Sequence, residues 1–241
     1  MIEFRKVSKK YGDVTVIAQQ SFTIQKGELF VIVGQSGSGK TTTLKMMNRL
    51  IEPSDGEIYI HGKNIREYPL RELRLEIGYV LQSIALFPNL TVCQNIELIP
   101  EMKKWGKEKR IQQVRLLLEK VDLDPDVYMN RYPKELSGGE AQRVGILRAI
   151  VGNPDLLLMD EPFSALDPIS RRQLQELTIH LHKELGMTIV FVTHDMNEAQ
   201  MIADRICVMK QGKVLQIGAA EELKRSPHDE FVRELFEGSD C

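Results

Sequence analysis

At 241 residues, the chain is long enough to form one large domain or two closely packed ones. Its formal net charge of -2 argues against a protein whose main role is to bind a nucleic-acid backbone, because such proteins usually carry a strong basic excess. No apolar run approaches the roughly 20 residues that span a bilayer, so we expect any membrane role to be exercised through other chains. Cys93, Cys207 and Cys241 lack a paired spacing, which is typical of free thiols in a reducing compartment.

The N-terminal third is predicted to consist mainly of strands. Strands are expected before the first glycine-rich loop at 2–7, 14–18, 21–24 and 29–33. The loop at 34–41 leads into a helix, and two more strands are predicted at 57–60 and 77–81. From about residue 91 to residue 152, apolar residues recur at helical spacing, which predicts a helical subdomain inserted into the core.

The β/α pattern resumes after residue 152. A continuous apolar strand at 156–159 ends in an acidic pair, a helix is expected at 171–185, and a buried strand at 188–193 follows. A hairpin around Gln211-Gly212 and a charged terminal helix complete the chain. The alternation of strands and helices predicts an α/β fold.

The loop from Gly34 to Thr41 has the pattern of a phosphate-binding loop, because all four required positions match between a buried strand and a helix. Its glycines let the backbone curl with N–H groups pointing inward, and the helix that follows presents unpaired amides to an anion. Lys40 supplies a mobile charge for the β- and γ-phosphates, and the Thr41 hydroxyl is placed to ligate Mg²⁺. The residues predicted to contact the nucleotide here are Gly34, Gln35, Ser36, Gly37, Ser38, Gly39, Lys40, Thr41 and Thr42.

Two carboxylates follow the strand at 156–159. Asp160 is suited to hold Mg²⁺ directly or through water, and Glu161 is suited to orient and polarise an attacking water. His194 ends the next buried strand, at the edge where parallel sheets place ligands, so we expect it beside the γ-phosphate. A helix cap at Asp160 and a structural role for His194 are the alternatives. The set predicts hydrolysis of a nucleoside triphosphate.

A second anion-binding element is predicted at Ser137-Gly138-Gly139, ahead of a helix expected at 141–150. Two such helix starts exceed what one small nucleotide needs. They are explained if two copies pair head to tail, each supplying this loop to the nucleotide of the other.

In this order the motifs resemble those of the ATP-binding subunits of ABC transporters, over nearly the whole chain. The matching features are the loop at 34–41, Gln82 at a strand end, the signature at 136–140, the strand and carboxylates at 156–161, the segment 164–167, and His194. The resemblance implies a P-loop ABC-ATPase core with a mixed central sheet, flanking helices and an N-terminal antiparallel β part. It also implies a single nucleotide-binding domain over 1–241 with a helical subdomain at about 91–152. No transmembrane or C-terminal regulatory domain is expected in this sequence, although many quaternary-amine relatives carry a regulatory domain.

The resemblance also implies roles for individual residues. Tyr11 would stack on adenine, whereas the residue alone favours an ordinary strand-end aromatic. Gln82 would link Mg²⁺ and the attacking water to the membrane partner, and Asp167 would communicate across the dimer beside the nucleotide. Glu161 would be the general base and His194 the γ-phosphate contact. The expected catalytic set is therefore Glu161, His194 and Gln82, the expected metal ligands are Thr41, Gln82 and Asp160, and the cofactors are ATP and Mg²⁺.

The signature has Glu140-Ala141 where the family usually has two glutamines. The serine and both glycines are intact. We therefore expect ATP clamping to be retained and only the start of the helix to differ.

Three segments, 47–53, 86–92 and 132–135, are similar to those of importer ATPases, and the first two to those for quaternary-amine osmoprotectants such as glycine betaine, carnitine or choline. The expected protein is a peripheral subunit on the cytoplasmic face of the inner membrane that pairs with a second ATPase subunit. Its other expected partners are separate permease subunits and an extracellular solute-binding protein. Uptake of amino acids or another small solute is the alternative.

The apolar side chains within 82–95 are expected either to dock a partner helix or to belong to the local core.

A soluble ABC ATPase that acts on DNA or ribosomes belongs to a different class, and the sequence disfavours it. DNA-repair relatives need a long coiled coil between the phosphate loop and the signature, and only about a hundred residues without sustained heptads lie between them here. Translation relatives carry two cassettes in one chain, and one is present here. We therefore expect no nucleic-acid partner.

Overall fold

The computed structural model describes residues 1–238, so the free thiol expected at Cys241 lies outside the described residues. Ten strands are formed in the described part: β1 (Ile2–Tyr11), β2 (Val14–Ile24), β3 (Leu29–Val33), β4 (Asp55–Ile60), β5 (Lys63–Asn64), β6 (Ile77–Val80), β7 (Leu156–Asp160), β8 (Thr188–Thr193), β9 (Arg205–Lys210) and β10 (Lys213–Gly218). Ten α-helices are formed there: α1 (Lys40–Met47), α2 (Leu70–Leu75), α3 (Val92–Met102), α4 (Lys107–Lys120), α5 (Pro125–Tyr128), α6 (Gly138–Ile150), α7 (Pro168–Leu185), α8 (Met196–Ile202), α9 (Ala220–Arg225) and α10 (Glu230–Glu237). Short 3₁₀ turns occupy Ile65–Glu67 and Pro133–Glu135.

Two compact units divide the chain, one from residues 1–74 together with the chain from residue 185 onward, the other from residues 75–184. Among the described residues, no helix combines the length and apolar character needed to cross a bilayer.

The first unit contains an antiparallel sheet in the order β2-β1-β4-β5. Its apolar face packs through aromatic rings: the centroids of Phe4 and Phe22 lie 4.5 Å apart, and those of Phe22 and Phe30 lie 5.9 Å apart. Because Phe30 belongs to β3, this contact joins the antiparallel sheet to the strand that leads into the phosphate loop.

The same unit holds β10, β9, β3 and β8 in that order. β3 runs parallel to both β8 and β9, whereas β9 and β10 form an antiparallel hairpin, so the strand directions are mixed, as predicted. Every residue of β3 and β8 is buried, which is typical of parallel strands covered on both faces.

The second unit combines the parallel pair β6 and β7 with the helices α3 to α7. Between residues 92 and 150 the described regular elements are all helical. Val144, Ile146 and Leu147 of α6 are fully or almost fully buried and form part of the apolar core of this unit.

One predicted strand boundary is wrong. The strands expected at 14–18 and 21–24 form one continuous strand, β2, because the two glutamines between them, Gln19 and Gln20, fit within it. Gln20 is buried, and its amide donates to the carbonyl of Gly212 over 3.2 Å. Tertiary hydrogen bonding here overrides the low strand preference of a polar residue. β1 is also longer than predicted and continues to Tyr11.

Three predicted helix boundaries are also wrong. α6 begins at Gly138 instead of residue 141, because Ser137 caps it. α7 begins at Pro168 instead of residue 171, since proline is well suited to the first position of a helix. The single terminal helix is two helices, α9 and α10, because Pro227 follows the end of α9 and cannot continue it.

Candidate functional site

The phosphate loop leaves the end of β3 and enters α1 at Lys40. Gly37 and Gly39 have φ angles of 77° and 98°, a region that only glycine adopts readily. Gly39 must also be small, because a Cβ there would lie 2.4 Å from Ile17 Cδ1 and 3.2 Å from the carbonyl oxygen of Val16. The loop therefore packs closely against β2, and its backbone conformation requires glycine at positions 37 and 39.

Lys40 lies inside this loop with only 4% of its surface exposed. Its Nζ donates to the carbonyl oxygens of Gly34 at 2.7 Å and Gln35 at 3.1 Å. Ser38 is also buried, and its Oγ has no hydrogen-bond partner within the described residues. A buried hydroxyl without a partner, next to an ammonium group held by loop carbonyls, fits a ligand that brings several acceptor oxygens, as a phosphate does.

Two threonines follow Lys40 in the first turn of α1. Thr41 and Thr42, both predicted to contact the nucleotide, are half-buried. Gln35, Ser36 and Gly37 at the tip of the loop are exposed.

His194 is exposed and directly follows β8. Val33, the last residue of β3, is paired in register with Thr193, the last residue of β8. Neighbouring strands lie roughly 4.8 Å apart, so the phosphate loop and His194 leave the sheet side by side. The backbone after His194 is fixed, because Asp195 caps α8 by accepting from the N–H groups of Asn197 and Glu198.

Tyr11 ends β1 at the tip of the β1–β2 hairpin, where it pairs with Val14. Half of its surface is exposed, and the Lys9 ammonium lies 4.8 Å from the ring centroid. The same hairpin contacts Gly39 through Val16, so Tyr11 belongs to an element that touches the phosphate loop. An exposed ring in this position is available to stack on a purine.

In the second unit, the ends of β6 and β7 bring together Gln82, Asp160 and Glu161. Val80 pairs in register with Met159, so Gln82 and the two carboxylates leave the same edge of adjacent parallel strands. Gln82 is exposed, whereas Asp160 is 4% exposed.

Tyr79 is a neighbour of Asp160 that sequence reasoning missed. Its hydroxyl donates to Asp160 Oδ2 over 3.4 Å, and burial and the charge of Asp160 raise the pKa of Tyr79 well above its ordinary value. Only the register between β6 and β7 reveals this contact, since no motif in the sequence links the two residues.

Glu161 has a φ angle of 44°, in the left-handed region that is uncommon for residues other than glycine. Such a conformation costs on the order of 1–3 kcal/mol and persists where the surroundings impose it. The Ser164 hydroxyl donates to the Glu161 carbonyl over 3.1 Å, which helps to hold the turn. A strained backbone at the residue predicted to be the general base supports a functional role for its position.

The signature loop and Asp167 lie together at the starts of two helices. Ser137 caps α6, and a Cβ at Gly139 would lie 3.5 Å from Ser170 Oγ in the first turn of α7. Asp167 caps α7, accepting from the N–H groups of Ile169 at 3.1 Å and Ser170 at 3.0 Å. Hydrogen bonds from Ser170 and Ile169 lower the pKa of Asp167. The two helix N-termini therefore lie side by side, and the exposed Ser137 and Gly138 stand at the start of α6.

The β6–α3 loop, residues 81–91, carries the apolar side chains that were expected to dock a partner or to join the core. Phe87 is 54% exposed, whereas Ile84, Leu86 and Leu90 are half-buried. Asn95 of α3 is fully buried and holds this loop: its amide donates to the carbonyls of Phe87, Leu90 and Thr91 over 3.0–3.1 Å, and its oxygen accepts from the Phe87 N–H over 2.8 Å.

Arg148 joins the same loop to the signature helix. Its guanidinium, on α6, donates to the carbonyl of Ala85 over 2.8 Å. Burial lowers the pKa of Arg148. The loop that exposes Phe87 is thus connected to the helix that Ser137 caps.

Comparisons with known proteins agree with these observations. The glycine betaine/carnitine/choline transport ATP-binding protein of Bacillus subtilis (strain 168) is 52% identical over 237 residues, which are 98% of this chain and 62% of that protein. The ATP-binding protein of a glycine betaine uptake system of Escherichia coli (strain K12) is 44% identical over 98% of this chain and 76% of its own length. The chain spans less than two thirds of the length of the Bacillus protein.

A solved structure extends the likeness to the fold. A dimeric ATP-binding cassette in a post-hydrolysis state with ADP and inorganic phosphate matches with a TM-score of 0.80 and 34% identity, over 91% of this chain and 98% of that one. The predicted ABC-ATPase fold is thereby confirmed. A family model described as ABC transporter matches residues 17–164, well over half of the chain. The chain therefore belongs to the ABC transporter family.

Proposed function

We propose that the chain is the ATP-hydrolysing subunit of an importer and energises uptake of a quaternary-amine osmoprotectant such as glycine betaine, carnitine or choline. The observation that carries nucleotide binding is the phosphate loop, in which Lys40 is enclosed and the buried Ser38 hydroxyl has no partner within the described residues. The solute class rests on the names of the relatives in Bacillus subtilis and Escherichia coli.

In this proposal the phosphates of ATP replace the loop carbonyls as partners of Lys40, and the loop amides and the Ser38 hydroxyl donate to them. Tyr11 stacks on the adenine ring. Thr41, Gln82 and Asp160 offer hydroxyl, amide and carboxylate oxygens, the donors that Mg²⁺ prefers. When bound, Mg²⁺ would neutralise negative charge on the phosphoryl group that is transferred to water.

Hydrolysis is assigned to Glu161, His194 and Gln82. Glu161 accepts a proton from the attacking water and orients it, Gln82 positions that water, and His194 donates to the γ-phosphate. Two copies pair head to tail, so that Ser137, Gly138 and Gly139 of one copy bind the γ-phosphate held by the other. Asp167 keeps α7 aligned beside this surface.

The permease is proposed to dock on the β6–α3 loop, with Phe87 as the exposed apolar contact. Asn95 and Arg148 fix that loop to α3 and to the signature helix, so closure of the two copies on ATP would move the docking surface with Ser137. The proposed location is peripheral, on the cytoplasmic face of the inner membrane, and an extracellular binding protein delivers the solute.

Binding of ATP is tested with Lys40→Ala. We expect ATP affinity to fall roughly 10- to 100-fold, because a charge-assisted hydrogen bond to phosphate is lost. Lys45→Ala, on the same helix, is the matched control and should bind ATP normally. Equal affinities of the two variants would contradict the site.

Transport is tested in cells that carry either the wild-type chain or Glu161→Gln as the only copy. The measurement is energy-dependent uptake of radiolabelled glycine betaine, carnitine and choline, with labelled amino acids as the comparison. We expect uptake of at least one quaternary amine to be lost in Glu161→Gln. Loss of amino-acid uptake alone would contradict the solute class, and no loss at all would contradict the transport function.

A further inference from the structure

Both oxygens of the Glu140 carboxylate are engaged at the start of the signature helix. Oε2 accepts from the Ser137 N–H over 2.7 Å, and Oε1 accepts from the hydroxyl of Tyr128. Tyr128 belongs to α5, so this second hydrogen bond reaches Glu140 from another helix. The Arg131 guanidinium lies 4.4 Å from the centroid of the Tyr128 ring, which adds positive charge beside the pair.

Ser137 makes a complementary bond. Its Oγ accepts from the Glu140 N–H over 3.3 Å, which completes a capping box with the Ser137 N–H. A serine hydroxyl has a single proton to donate. The Glu140 N–H bond uses Ser137 Oγ as an acceptor and leaves the hydroxyl proton free to donate elsewhere. The direction in which that proton points decides whether Ser137 can donate to a ligand.

A free carboxylate oxygen one turn away would compete for this proton. The capping box alone accounts for Oε2 but not for Oε1. The Tyr128 hydroxyl donates to Oε1 and thereby takes up part of its capacity to accept a proton from Ser137.

We propose that Tyr128 is a positioning residue: by donating to Glu140, it leaves the Ser137 hydroxyl proton available to the γ-phosphate of ATP bound in a second copy. This inference rests on the proposed function and deepens it. Where the family usually has glutamine at position 140, no such competition exists, because an amide nitrogen cannot accept a hydrogen bond. Tyr128 therefore compensates for the extra acceptor oxygen that Glu140 brings to the signature of this chain.

The test uses Glu161→Gln as the parent, so that ATP is not consumed. Tyr128→Phe, Glu140→Gln and the double variant are each added to this parent, and ATP-dependent dimerisation is measured by sedimentation. Tyr59→Phe is the matched control, because the Tyr59 hydroxyl donates to Glu57 over 2.9 Å in an exposed sheet.

We expect Tyr128→Phe to weaken the dimer roughly three- to thirtyfold, since the freed oxygen of Glu140 competes for the Ser137 hydroxyl proton at both nucleotides of the dimer. Glu140→Gln should dimerise at least as tightly as the parent, and the double variant should match Glu140→Gln. Tyr59→Phe should not differ from the parent. The rescue separates positioning from a general loss of folding, because Glu140→Gln removes the competing carboxylate oxygen but would not repair a destabilised fold.

Three outcomes would overturn the inference: a Tyr128→Phe dimer as tight as the parent's, a loss that Glu140→Gln fails to rescue, or a Glu140→Gln dimer much weaker than the parent's. The last outcome is decisive even if Tyr128→Phe does not fold. A parent that never dimerises with ATP would instead overturn the proposed function.

Discussion

Val33 and Thr193 are paired in register at the ends of two fully buried parallel strands, β3 and β8. Gly34 and His194 are the next residues of the two strands, so the phosphate loop and the imidazole start from the same edge of the sheet. The Lys40 ammonium, the amides of the phosphate loop and the His194 imidazole thus lie around one position, and the rigid strands β3 and β8 hold them there.

This pairing leads to a prediction for His194→Ala. We expect ATP binding to be retained and turnover to fall roughly 100-fold, because a donor aimed at the developing charge is lost. Steady-state hydrolysis measured alongside nucleotide affinity separates the two effects. His180→Ala, an exposed histidine of α7, is the control and should hydrolyse ATP at the wild-type rate. Equal turnover of both variants would remove His194 from the mechanism.

Glu161→Gln should keep ATP affinity and lose at least about 100-fold in turnover, since an amide cannot accept the proton of the attacking water. The exposed Glu119→Gln on α4 is the matched change and should leave the rate as it is. Phosphate release is the measurement. Undiminished release from Glu161→Gln would mean that another group acts as the base.

Much of this site follows from local sequence. Continuous apolar runs predict β3, β7 and β8, and the residues that follow them are the proposed phosphate loop, carboxylates and histidine. The missed features depend on contacts between distant residues. Tyr79 meets Asp160 only through strand register, and Tyr128 meets Glu140 only after the chain has turned through the 3₁₀ segment at 133–135.

The predicted start of α7 at residue 171 was wrong, although the local sequence carries a signal for the observed start. The Asp167-Pro168 pair is typical of a helix start, with an acidic cap followed by proline, and it indicates that α7 begins at Pro168. The left-handed backbone of Glu161 has no such signal, because the surrounding structure imposes it.

Asn95→Ala should destabilise the fold by about 2–4 kcal/mol, because four hydrogen bonds to the β6–α3 loop are lost and a small cavity is left. Urea unfolding measures this loss. Asn130→Ala, at an exposed position, is the control and should change the free energy of unfolding by less than about 0.5 kcal/mol. A similar small change at Asn95 would show that the loop is held by other contacts.

The Tyr128–Glu140 pair gives a pH dependence. Hydrogen bonds from the Tyr128 hydroxyl and then the Ser137 N–H lower the pKa of Glu140 below its ordinary value of 4.5. The stabilisation from the ionised carboxylate is therefore fully present above pH 4.5 and is lost as the pH falls through the lowered pKa.

The measurement is the difference in the free energy of unfolding between the wild-type chain and Glu140→Gln. We expect it to be constant near neutral pH and to shift against the wild-type chain below pH 4.5. Tyr128→Phe should make this shift smaller, because the pKa of Glu140 in the folded chain then lies closer to its ordinary value. A difference that grows in favour of the wild-type chain on acidification would contradict the assignment.

The central claim is that two copies hold ATP between the Lys40 loop of one and the Ser137 loop of the other. The most direct measurement is the sedimentation of Glu161→Gln protein with saturating Mg²⁺-ATP, compared with the same protein carrying Ser137→Phe. The account predicts a dimer with ATP, a monomer with ADP, and a monomer with ATP once Ser137 is replaced. A protein that stays monomeric with ATP at high concentration, even beside its membrane subunits, or a dimer that is indifferent to Ser137→Phe, would contradict it.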